Sequence, residues 1–357
     1  MTQAYSIEPI EHQLQALGLP FAPHFARALV ALLSARKISL HQVAHLMPGN
    51  QNPEANRQQM RRCLDHESTA ADRWTCAIAA LLPKGKWILA LDRTEWKRGA
   101  TTINLLVLAV VVHGCAVPLL WSVLPNPGAS DTAERKHLLE RFMTLLGKER
   151  VRFITADREF IGREWIGWLL EQGLAFRIRI KAGEWLGHSD KTKEEKRGSQ
   201  WFALQACRCK PRAMTLWGLR VYVGGKHLQG NEYLVVISNE KGDLLGEYRL
   251  RWKVETLFQA LKGRGFDLES CRLSQERRLS GWFGFLSLGL CWCLKVGRLL
   301  DEVAPLPLKK HGRRAVSVFA RGLRELQALV SPLAGRLCYG RFSQVIQELC
   351  PVRRPAT

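Results

Sequence analysis

The sequence predicts an α/β fold flanked by helices, and three observations carry that expectation. Up to about residue 80, apolar residues recur at helical spacing; from residue 86, short β-branched runs alternate with amphipathic stretches; beyond residue 300 a basic helical pattern returns. With 357 residues, 46% of them hydrophobic, the chain holds enough apolar material for two or three domains and is not a disordered polymer.

Taken in order, "PHFARALVALLSARKISLHQVAHLM" reads as helical, with Ser39 the expected cap of its second half. After the turn signal "PGNQNPE" comes "ANRQQMRRCLDH", a helix whose basic face includes Arg61 and Arg62. A helix, a turn and a basic helix resemble a DNA-reading helix-turn-helix, although the loop is too long for the strict motif. The segment 1–80 is therefore read as a helical, DNA-end-binding domain.

"KWILALDRT", "INLLVLAVVVHG" and "VPLLWSVL" follow as strands separated by the turns "KRGATT" and "HGCA". "SDTAERKHLLERFMTLLG" is a helix, with Ser130 or Asp131 as its cap and Gly147 as its stop. "VRFITADREF" is a fourth strand, "REWIGWLLEQG" a helix, and "LAFRIRIKAG" a fifth strand. Three strands, a helix, a strand, a helix and a strand is the order of a ribonuclease H-like core, assigned here to residues 81–300. Residues at about 181–232 interrupt it as a β-rich insertion, and "EYLVVISN" then resumes the apolar strands. The tail, 301–357, is read as a basic helical segment suited to dimerisation or DNA contact, with "KKHGRR" at 309–314 among its cations.

Composition narrows the partners. Lys and Arg outnumber Asp and Glu by 53 to 32, a net charge of +21, which favours a polyanion such as double-stranded DNA. The opening "MTQAYSIEPIEHQ" has neither the basic nor the apolar region of a signal peptide. The run "GWFGFLSLGLCWCLKVGRLL" carries Lys295 and Arg298 and suits a buried helix better than a membrane span. Cys207 and Cys209, like Cys291 and Cys293, are one residue apart, which fits no zinc ribbon or finger and leaves reduced thiols. A cytoplasmic, nucleoid-associated protein is expected.

The chemistry gathers around "GEYRLRWKVETLFQALKGRG", residues 246–265. On an unbroken helix at roughly 100° per residue, Tyr248, Arg251, Glu255 and Lys262 fall within an arc of about 60°, while Trp252, Phe258 and Leu261 are left to anchor the helix. Two further carboxylates stand where they are costly: Asp92 inside the first apolar strand and Asp157 at the end of the fourth. In a ribonuclease H-like order these strands are neighbours, so the aspartates lie side by side and a later helix can add Glu255. Three converging carboxylates need cations between them, and oxygen donors suit Mg²⁺ or Mn²⁺. A pair of such ions supports in-line phosphoryl transfer, with Arg251 and Lys262 holding the phosphates of the cut strand.

At "LDRTEW", "TADREFIG" and the spacing Tyr248-x2-Arg251-x3-Glu255-x6-Lys262 the sequence resembles the insertion-sequence-4 family of bacterial DDE transposases. The resemblance runs from about residue 86 to 300. It implies cut-and-paste transposition, with Asp92, Asp157 and Glu255 as the metal-binding triad for two Mg²⁺ ions, and with Tyr248, Arg251 and Lys262 contacting DNA near the cut phosphate. It further implies binding of terminal inverted repeats, hairpin ends, transfer of 3′-hydroxyls to target DNA and a synaptic homodimer. Hairpin formation implies an aromatic from the insertion that stacks on or replaces a flipped base, for which Trp201 and Trp217 are the candidates.

Overall fold

The computed structural model describes residues 7–35, 39–49, 51–67, 70–188, 195–203, 210–263, 265–308, 310, 314–330 and 345. Most of "KKHGRR", both Cys207 and Cys209, and nearly all of the last 27 residues lie outside the described residues. Compactness divides the chain into one unit of residues 1–83, 96–103 and 257–357 and another of 84–95 and 104–256. The sequence pattern suggests different boundaries, at 80 and 300.

The first unit is helical. Helices α1 (Glu8–Ala16), α2 (Ala22–Ser34), α3 (Leu40–Leu46), α4 (Pro53–Asp65) and α5 (Ala71–Leu81) open the chain. Ser39 caps α3 as expected, its hydroxyl accepting from the Gln42 amide at 3.2 Å, and Asn52 caps α4. The tip of a β-hairpin, Trp96–Ile103, also belongs to this unit by its contacts. Two later helices complete it: the long apolar helix Glu276–Val303 and the amphipathic helix Val318–Val330.

The long helix passes a length-and-apolarity test for a membrane span, yet most of that stretch is buried in the protein, as its sequence suggests. Its Phe285 packs 5.9 Å from Phe25, which meets Trp74 edge-on at 5.2 Å. Where it crosses the helix that follows, glycines let the backbones touch. A methyl group at Gly297 would lie 1.9 Å from the Val318 carbonyl oxygen, and one at Gly322 would lie 1.8 Å from that of Cys293.

The second unit is built on a ten-stranded sheet. It begins with β1 (Trp87–Arg98), β2 (Thr101–Val112) and β3 (Cys115–Leu124), consecutive neighbours joined by two-residue turns. His113 and Gly114, with φ of 50° and 78°, form the second of these turns, which accounts for His113 without chemistry. Helix α6 (Thr132–Leu146) is started by a capping box between Asp131 and Glu134 and ends at Gly147, whose φ is 86°.

Next come β4 (Val151–Ala156), α7 (Arg163–Glu171) and β5 (Phe176–Ile180). Both β1 with β4 and β4 with β5 run parallel, giving the order β3-β2-β1-β4-β5 that the sequence pattern predicts for a ribonuclease H-like core.

The insertion extends this sheet. It supplies β6 (Trp185–His188), β7 (Glu195–Arg197), the single turn α8 (Gly198–Trp201), β8 (Arg212–Leu216) and β9 (Leu219–His227), followed by β10 (Tyr233–Ser238). The order continues β5-β10-β9-β8-β6-β7, every pairing antiparallel. Beyond β10 the chain runs through α9 (Leu244–Tyr248), a 3₁₀ turn at Arg249–Arg251 and α10 (Trp252–Leu261). The two closing helices of the first unit are α11 (Glu276–Val303) and α12 (Val318–Val330).

Candidate active site

Parallel pairing of β1 with β4 puts Leu91 opposite Ala156, so the next residues, Asp92 midway along β1 and Asp157 just past β4, are adjacent where that pairing stops. The local sequence achieves this simply. Apolar runs drive each strand into the core; β4 ends one residue before its aspartate, whereas β1 carries Asp92 within the strand and continues to Arg98. Asp92 is largely buried, with its side chain 16% exposed.

Each aspartate is fixed by its own chain. Asp92 Oδ1 accepts from the Arg93 amide at 2.8 Å, and Asp157 Oδ1 accepts from the Glu159 amide at 2.9 Å. Arg135 of α6, buried, donates to the carbonyls of Glu159 and Ile161 and so braces the turn that follows Asp157. The Arg93 guanidinium engages Glu159 (2.8 Å) and Glu95 (2.6 Å) and is no partner for the Asp92 carboxylate.

That carboxylate is instead met by Arg251. Its Nη1 donates to Asp92 Oδ2 at 2.9 Å, while its Nη2 donates to Glu255 Oε1 at 2.7 Å. One planar guanidinium thus bridges two of the three acidic residues. Burial pushes Asp92 up to about 6; Arg251 and the Arg93 amide pull it down, while Asp157 and Glu159 push it up again. Burial opposes the charge on Arg251, but Tyr248, Asp92, Asp157 and Glu255 together raise its pKa further.

The 3₁₀ turn changes part of the expectation. Three residues wound at about 120° instead of 100° rotate the two helical halves by roughly 60° relative to one wheel. Tyr248 is accordingly only 2% exposed, packed with Val236, Leu244 and Leu245, and burial raises its pKa. Trp252, expected to anchor the helix, is 57% exposed; Val254, Leu257 and Leu261 are buried in its place.

The start of α9 is held by a pair that sequence reasoning misses. Arg177 of β5, buried, donates to Glu247 at 2.5 Å, to Ser238 Oγ at 2.7 Å and to the Phe176 carbonyl at 2.9 Å. Seventy residues separate Arg177 from Glu247, and no local signature marks the pair.

The structure thus brings Asp92, Asp157, Tyr248, Arg251 and Glu255 into one unit. Lys262 directly follows α10 and lies among the residues of the first unit, where its ammonium pairs with Glu269 at 3.0 Å and sits 5.7 Å from the Trp96 ring. Arg61 and Arg62 are on α4, the first half-buried and the second exposed. Trp201 donates its indole N–H to the Leu186 carbonyl at 3.1 Å, and Trp217 donates its own to Glu184 at 3.2 Å. Both are half-buried, whereas Trp185 of β6, which sequence reasoning passes over, is 52% exposed beneath the Arg197 guanidinium.

The donors of Asp92, Asp157 and Glu255 are all hard oxygens, the set that suits a divalent cation. Asp92 lacks enough positive charge nearby to offset its burial, which also fits. Among the described residues, no three His, Cys, Asp or Glu side chains are yet close enough to grip an ion together.

Comparison with known proteins supplies the family. A search of curated proteins returned no match. Among solved structures, a piggyBac transposase synaptic complex with hairpin DNA aligns over 100% of this chain and 85% of that chain, at 12% identity and a TM-score of 0.46. A family model described as "Transposase DDE domain" matches residues 83–292, from just before β1 into α11. The match covers more than half of the 357 residues and both strands that position the paired aspartates, and the chain belongs to the transposase DDE domain family.

Proposed function

We propose that this transposase is of the insertion-sequence-4 type. It binds the terminal inverted repeats of a bacterial insertion sequence, frees the element through hairpin ends and joins its 3′-hydroxyls to target DNA. The observation that carries the reading is the pair Asp92 and Asp157, adjacent where the parallel pairing of β1 with β4 stops, with Arg251 linking Asp92 to Glu255.

In this reading Asp92, Asp157 and Glu255 hold Mg²⁺, two ions per site, and Mn²⁺ substitutes. The metal, when bound, supplies the activation of the attacking oxygen and the stabilisation of the leaving one. The protein's own groups do the rest. The turn after β4, braced by Arg135, fixes where Asp157 points, and Arg177 fixes the start of the helix carrying Arg251 and Glu255. Arg251 and Lys262 take phosphates of the cut strand, with Arg251 suited to a bidentate grip. Tyr248 contributes its hydroxyl beside Arg251, since its ring belongs to the core.

Arg61 and Arg62 of α4 are assigned to the terminal repeat, in a cytoplasmic, nucleoid-bound homodimer. Trp201 and Trp217 are the candidates that sequence offers for stacking on a flipped base. Trp185 is favoured over both, because its ring is the more exposed and offers a base the face that Arg197 does not cover.

The test is cleavage of a labelled duplex carrying the element's own terminal repeats, in Mg²⁺ and in Mn²⁺, by wild type and Glu255→Gln. End nicking, then hairpins, then joining to a plasmid are expected from the wild type. The variant should lose about 100- to 1,000-fold in cleavage rate, on the scale of removing one group that stabilises a transition state, while still binding the duplex. Cleavage without joining would point to a different nuclease, and binding without cleavage by either protein would refute the enzymatic reading.

A further inference from the structure

The Arg251 guanidinium occupies the position between Asp92 and Glu255 where a cation belongs. Two different nitrogens contact two different carboxylates, at 2.9 and 2.7 Å, and the side chain doing so is only 10% exposed. A divalent ion held between the two acids would have to share that space with the guanidinium and its positive charge. Ion and guanidinium therefore compete for the same position between Asp92 and Glu255 and for their negative charge.

Arg251 also has unused capacity. Its buried Nε has no hydrogen-bond partner, so leaving the two carboxylates for an acceptor that also reaches Nε would repair an unmet donor. A phosphodiester provides such an acceptor, since its two free oxygens match the guanidinium fork.

We propose that Arg251 is a gate on metal loading. Without DNA it serves as the internal counter-ion of Asp92 and Glu255 and keeps a divalent cation from using both. When a strand enters, its phosphate draws the guanidinium away, and the two carboxylates become free for the ion. Phosphate and metal then bind cooperatively, each favouring the state the other needs, and by linkage the coupling is equal in both directions. The protein's own residues would thus keep a nuclease centre unassembled until substrate is present. This inference rests on the function proposed above, in that it takes the substrate to be DNA and the acids to be metal ligands.

The experiment is direct titration of Mn²⁺, followed by the electron paramagnetic resonance signal of the free ion, on the full chain of wild type, Arg251→Gln and Arg251→Lys. A blunt duplex ending at the element's terminal nucleotide, already cut and so inert to cleavage, is present or absent. Wild type should bind Mn²⁺ weakly alone and about tenfold or more tightly with the duplex, a coupling of ordinary size. Arg251→Gln should bind Mn²⁺ about tenfold more tightly than wild type without DNA, and the duplex should add little. Adding Asp92→Asn to that variant should erase its gain.

Arg251→Lys keeps the charge, but its single ammonium grips two carboxylates poorly. It should fall between wild type and Gln, and it carries the test if the Gln variant does not fold. Equal Mn²⁺ affinity of wild type and both variants, in a wild type that cuts DNA, would overturn the gate alone. No Mn²⁺ binding by any protein, with or without duplex, together with no cleavage, would overturn the underlying reading as well.

Discussion

Asp92 sits where its surroundings pull its charge in opposite directions. Arg251 and the Arg93 amide favour the carboxylate; burial, Asp157 and Glu159 favour the acid and win, leaving the group near 6 against an unfolded value of 3.8. A carboxyl group with a raised folded pKa costs nothing below about pH 3, where both states are protonated. The cost grows as pH rises through 6, because the unfolded chain ionises more readily. Asp92→Asn should therefore stabilise the metal-free protein at pH 7.5 by up to about 3 kcal/mol, since each tenfold change in proton affinity is worth about 1.4 kcal/mol. The gain should shrink to about 0.5 kcal/mol at pH 4 and vanish below about pH 3. Urea unfolding in EDTA at these pH values measures it. A destabilised variant at pH 7.5 would mean that the pairing with Arg251 outweighs the burial. The same substitution should abolish cleavage, so stability and activity part company at one residue.

At the scale of elements, β5, β10 and α9 are tied together by Arg177. Its removal leaves Glu247 without its cation and takes from Ser238 Oγ one of its two donors, the Glu240 amide remaining. Arg177→Met should cost about 3 kcal/mol in urea denaturation, the order expected when one partner of a buried ion pair is lost. A loss below about 1 kcal/mol would mean the clamp matters little. How far such elements are legible in the sequence depends on the range of the signal.

The caps at Ser39 and Asp131 and the stop at Gly147 rest on neighbours a few residues apart, and they appear as read; the pairing of β1 with β4 is legible only from the succession of strands and helices. Asp92 and Asp157 stand out because an acid in an apolar strand is conspicuous whatever the fold. Tyr248 and Trp252 fall elsewhere than one continuous helix predicts, and nothing local announces the 3₁₀ turn at Arg249–Arg251. Arg177 with Glu247, and Arg135 with the carbonyls after Asp157, pair residues that only the folded chain brings close.

For the molecule as a whole, net charge and chain order matter most. A charge of +21 should make duplex binding strongly salt-dependent, log K falling by about 0.9 per decade of salt for every phosphate neutralised. A titration between about 50 and 200 mM NaCl that left affinity unchanged would argue against broad contact with the backbone.

The first unit takes residues from both ends of the chain, and its N-terminal helices meet α11 through Phe25, Trp74 and Phe285. A fragment ending at residue 83 should thus lack native packing. It should show poor amide dispersion in a proton–nitrogen spectrum, whereas a dispersed spectrum would establish an independent domain.

The position of α11 also sets a timetable for synthesis. The apolar faces of α2 and α5 leave the ribosome early, but the helix that covers them begins at Glu276, 195 residues after α5 ends at Leu81. At roughly 5–20 residues per second that is a delay of about 10–40 s. Through that interval Phe25 and Trp74 lack a main partner, and the nascent protein is exposed to chaperones and proteases. Any message cut short before α11 would yield a product that cannot close its own core, so the cell would be left with whole enzyme or with debris.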